Sequence, residues 1–181
     1  DIKNAKFMLN VESCKSKNTL QFDVYDKTIQ MADLMFSVPD PKDAKKTIVA
    51  FCGKFIQYHS LKNYGQRIVL YRKTVVPNCY GPTDVEKLEK VIDDDKLLVY
   101  ASNKNYTKIL SKEILETLAN VQVDDYLYDL TISINDNLIT IALSYADKLV
   151  AIPLNEPTDF VGFERVAKDI KLVVDEIIKN I

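Results

Sequence analysis

The sequence predicts an α+β fold dominated by an antiparallel sheet, and three observations carry that expectation. First, apolar and polar residues alternate in short stretches, as where Leu20, Phe22 and Val24 oppose Gln21, Asp23 and Tyr25, the period of a half-buried strand. Second, such stretches are joined by tight turns, most clearly Asn135-Asp136-Asn137 between residues 130–134 and 138–145, residue types that tolerate left-handed backbone and close hairpins. Third, Phe160, Phe163, Val166, Ile170, Val173, Ile177 and Ile181 recur at spacings of three and four, one helical stripe suited to lie across a sheet. The expected architecture has about seven to eight strands, two shorter helices and a long helix over about 158–181 packed on the sheet. A small, partly closed barrel capped by that helix is the alternative.

Residues 1–18 are polar and lysine-rich around Phe7-Met8-Leu9 and read as a lead-in segment, or the end of a helix, ahead of a single domain over 19–181. The first strand is turned by Asp26-Lys27, and the second, over 28–38, ends at Pro39-Asp40-Pro41, because proline offers no ladder donor and restricts its predecessor. A third strand covers 47–58, where Gly53 marks a bulge or a close backbone approach. After a turn at Asn63-Tyr64-Gly65, residues 66–73 form a fourth strand expected to pair with the third, completing a meander.

Residues 75–82 are a loop dense in residues that fix or free the backbone, and Thr83 with Glu86 reads as the capping box of a helix. In that helix Val85, Leu88, Val91 and Ile92 keep helical spacing as far as Asp93-Asp94-Asp95. A strand over 97–101 then leads to a helix over 112–121, with Ser111 as N-cap and Ile114, Leu115, Leu118 and Val121 on one face. Residues 148–154 make a last strand, and Thr158 or Asp159 caps the C-terminal helix.

The 181 residues suit one domain with a sizeable core. With 47% hydrophobic and 28% charged residues the chain lies far from the composition of disorder. Twenty-four basic residues against 26 acidic ones leave a formal net charge of -2, which provides no electrostatic footprint for nucleic acid or anionic lipid beyond what a local basic patch could supply. No run approaches the roughly 20 apolar residues of a membrane span, and no signal peptide opens the chain. Cys14, Cys52 and Cys79 are widely separated and odd in number, which argues for reduced thiols. Asn105-Tyr106-Thr107 matches the glycosylation sequon, a pattern that carries little meaning without a secretory signal.

Candidate chemistry is sparse. His59 is the sole histidine, so any Ser-His-Asp or Cys-His site must use it. It lies seven positions from Cys52, which puts the two on opposite faces of a regular strand unless Gly53 bulges. Asp93-Asp94-Asp95 and Asp124-Asp125 with Asp129 are acidic clusters without the spacing of an EF-hand, and read as solvated turns. Four glycines make no phosphate cradle. The ten tyrosines could form a stacking surface, though in an antiparallel sheet they read as packing residues. The sequence therefore assigns no catalytic, cofactor-binding or metal-binding residue.

From about Phe51 onward the chain resembles the bacterial family known as domain of unknown function 3137. The similar pieces are Phe51-Cys52-Gly53-Lys54-Phe55, then Leu98-Val99-Tyr100-Ala101-Ser102 with Ile109-Leu110-Ser111 and Leu115-Glu116-Thr117-Leu118, then Ile132-Ser133-Ile134-Asn135-Asp136-Asn137-Leu138-Ile139-Thr140-Ile141-Ala142. It departs from the pattern at Asp93-Asp94-Asp95-Lys96-Leu97, where an aromatic-containing approach is expected. The resemblance implies a soluble region that follows upstream hydrophobic segments, and it transfers no catalytic residue. Some members are named for minor teichoic acid biosynthesis.

The expected function is accordingly a non-enzymatic interaction domain, the soluble part of a membrane-tethered bacterial protein at the cytoplasmic face, with a protein partner and no nucleic acid. An enzyme or accessory factor of cell-envelope polymer metabolism is the alternative. The tether would be an apolar run of about 20 residues ahead of Asp1, so the membrane is met only through a segment outside this chain. Because the C-terminal stripe is expected to be buried, Phe163→Asp should unfold the domain or sharply lower its melting temperature; an unchanged thermal melt would place the stripe in solvent.

Overall fold

The computed structural model describes residues 13–40, 42–73, 85–121, 127–145 and 160–181. Eight antiparallel strands form one sheet: β1 (Ser13–Val24), β2 (Lys27–Asp40), β3 (Asp43–His59), β4 (Arg67–Arg72), β5 (Glu89–Asp93), β6 (Leu97–Ala101), β7 (Leu127–Asn135) and β8 (Leu138–Tyr145). Their spatial order is β1-β2-β3-β8-β7-β4-β6-β5. Among the described residues two α-helices accompany them, α1 (Lys112–Asn120) and α2 (Phe160–Val173), the latter continuing into a π-helical turn, Val174–Ile178.

The antiparallel sheet, the hairpin at 135–137 and the helix after Ser111 match the sequence expectations. Asp136 takes φ 56° in the β7–β8 turn, the left-handed conformation that Asp and Asn tolerate. Ser111 Oγ accepts a hydrogen bond from Ile114 N at 3.3 Å, as an N-cap should. Strand β1 begins at Ser13, so part of the segment read as a lead-in already pairs with β2.

Four expectations are corrected. The sheet is open, with β1 and β5 at its two ends, and not a barrel. Of the helix expected over 83–92, the described part from Val85 is a short 3-10 turn, Val85–Lys87, followed by edge strand β5 against β6; β-branched Val91 and Ile92 suit a pleated edge, and pairing overrides their helical spacing. The fourth strand does not pair with the third. β4 lies between β7 and β6, because the β7–β8 hairpin occupies the β3 edge.

Last, the long helix over 158–181 is shorter. Its α-helical part is Phe160–Val173, and the widened turn after it seats both Ile177 and Ile178 in the core at 0% exposure. Val173, Ile177 and Ile181 of the predicted stripe are buried. The side chains of Phe160, Phe163 and Val166, and the expected strand at 148–154, lie outside the described residues, as do the loop at 75–82 and Thr83 of the capping box.

One apolar core joins Ile29, Tyr58, Ile68, Leu70, Val99, Ile132 and Ile141 of the sheet to Ile114 and Leu118 of α1 and to the C-terminal turn. On the opposite face Leu34, Phe36, Phe51, Phe55 and Ala142 form a second cluster, with the Phe36 and Phe51 rings stacked 5.4 Å apart. Both edges discourage further strand pairing. β1 carries Lys15 and Lys17 and a bulge beside Asn18, φ 48°; β5 is five residues long, bears Glu89, Lys90 and Asp93, and is itself bulged.

Gly53 marks a close approach and not a bulge. The β3–β8 register runs unbroken from Gly53 to His59, and a Cβ on Gly53 would lie 1.9 Å from the Leu143 carbonyl oxygen and 2.9 Å from Ser144 Cα. Alanine normally suits an element interior better than glycine, so Gly53→Ala separates propensity from sterics. We expect urea unfolding to show a loss of about 3 kcal/mol, the upper range of overpacking; a gain in stability would mean that the strands are not this close.

Candidate functional site

Among the described residues, the sole histidine and the buried cysteine of the same strand do not come together. His59 ends β3 and is exposed, whereas Cys52 is buried. With no bulge at Gly53, their odd separation leaves them on opposite faces. Next to His59, the Ser60 hydroxyl lies 3.1 Å from the Ile181 carbonyl and 3.3 Å from the Tyr64 hydroxyl, and accepts from Lys62 N at 3.2 Å. These contacts hold the end of the C-terminal turn, which accounts for the hydroxyl without a role as nucleophile. Cys14 is exposed on β1, where partial desolvation by neighbouring groups pushes its thiol pKa up, away from the reactive thiolate. Cys79 lies outside the described residues.

The first acidic cluster is a turn. Asp94 Oδ1 accepts from Lys96 N at 2.8 Å and Leu97 N at 2.7 Å, and these backbone bonds hold its carboxyl below the ordinary range. Asp93 takes the Lys73 ammonium at 2.5 Å and that of Lys90 at 2.8 Å. Asp124 and Asp125 lie outside the described residues, while Asp129 is buried on β7. Among the described residues, no three His, Cys, Asp or Glu side chains gather as a metal-binding group. Tyr71 and Tyr100 meet edge to face, centroids 6.4 Å apart and planes at 88°. That pair offers no flat stacking platform.

The buried polar groups are what sequence reasoning missed. Asp33 and Lys54 are directly paired across β2 and β3 and form an ion pair, with Asp33 only 3% exposed. The bulged Asn18 completes it, its Nδ2 donating to Asp33 Oδ2 at 2.6 Å. On the face opposite α1, Gln57 Nε2 donates to Thr140 Oγ1 at 3.1 Å, and the buried Arg67 guanidinium donates to Ser133 Oγ and to the Ile134 carbonyl. Thr131, Ser133 and Thr140 are at most 1% exposed. Their alternation with Leu130, Ile132, Ile134, Ile139 and Ile141 reads in sequence as a solvent face; the only hint otherwise is that they are small hydroxyls and not charges.

No protein-family model and no curated protein matches the chain. Among solved structures it is similar to the crystal structure of the mycobacterial trehalose monomycolate transport factor A, TtfA, with a TM-score of 0.51 and 10% identity. The match covers 91% of this chain and 74% of that one. The likeness is one of fold. Among the described residues no helix is long and apolar enough to cross a membrane.

Two predictions follow from these contacts. Asp33→Ala leaves the largely shielded Lys54 ammonium without its carboxylate, and should cost about 2–4 kcal/mol in urea unfolding. Asp33→Ala with Lys54→Met should recover part of it, and strictly additive losses would mean that the pair is not coupled. Asp93 is held at about 2 by hydrogen bonds from Lys73 first and Lys90 second, against an ordinary 3.8. Because the folded value is depressed, this contribution is whole above about pH 4 and fades as pH falls toward 2. An NMR titration of the Asp93 carboxyl carbon should show that low midpoint, and Lys73→Met with Lys90→Met should return it toward 3.8.

Proposed function

We propose that this protein is a non-enzymatic accessory factor of the bacterial cell envelope, acting as the soluble interaction domain of a membrane-tethered protein at the cytoplasmic face. The likeness of nearly the whole chain to a protein titled a trehalose monomycolate transport factor is the observation that carries this reading. The resemblance to the domain of unknown function 3137 family supports it, since members place a region of this kind after hydrophobic segments. The partner is proposed to be a protein.

The test is genetic. Deleting the gene in its native host should sensitise cells to detergent and to wall-directed antibiotics, and the complete gene should restore resistance. His59→Ala should restore it equally well, since the side chain is exposed at a strand end. Absence of any envelope phenotype would overturn the proposal. A His59→Ala protein that accumulates normally but fails to complement would instead favour an enzyme of envelope polymer metabolism.

A further inference from the structure

We draw no further inference here: the strongest candidate, the buried polar row of Gln57, Arg67, Thr131, Ser133 and Thr140 on the sheet face opposite α1, carries nothing because nothing in the structure shows what covers it.

Discussion

The structure depends on the β7–β8 hairpin being seated between β3 and β4. This places Ile132, Ile134, Ile139 and Ile141 at the centre of the sheet, each at most 1% exposed. It joins the β1–β2–β3 meander to the β4–β6–β5 half, which otherwise share no strand pairing among the described residues. The insertion is tight at Gly53, where the β8 backbone occupies the space of a side chain. Backbone pairing on both sides of the hairpin satisfies polar groups that would be costly to bury alone, so the rest of the core assembles around it.

The sheet does not divide simply into an apolar face and a wet one. Against the apolar core on the α1 side, the other face combines the Phe36–Phe51–Phe55 cluster with hydroxyls, Gln57 and Arg67, all largely shielded. Burying polar groups is tolerable only with partners, and Arg67 finds them in Ser133 and the Ile134 carbonyl. The Asp33–Lys54 pair with Asn18 does comparable work in the outer strands. There the directional contacts select one register among slips that would exchange the faces.

The C-terminal turn shows how side chains complete a helix end. The last carbonyls of a helix lack intrahelical donors. Here Lys27 Nζ donates to the Ile178 carbonyl, and the Tyr64 hydroxyl donates to that of Ile181, with Ser60 Oγ beside it. Apolar burial of Val173, Ile177 and Ile178 and polar capping therefore act at the same place. This use of Ser60 is why a hydroxyl next to the sole histidine is explained by architecture.

Local chemistry alone determined the antiparallel character, the 135–137 turn, the Ser111-capped helix and the apolar 97–101 strand. Each rests on contacts within a few residues: a turn that needs left-handed backbone, a cap that satisfies its own first turn, an alternation set by the pleat. Gly53 was also legible as a special backbone position, although not which neighbour approaches it. Only the tertiary structure decided that β8 and not β4 borders β3, that Val91 and Ile92 join an edge strand, and that the last turn is π-helical with both Ile177 and Ile178 buried. It alone decided that Thr131, Ser133 and Thr140 are buried. Strand partners and covered faces are set by which distant surfaces meet, and a period of two in the chain reports that faces alternate without saying what lies against each.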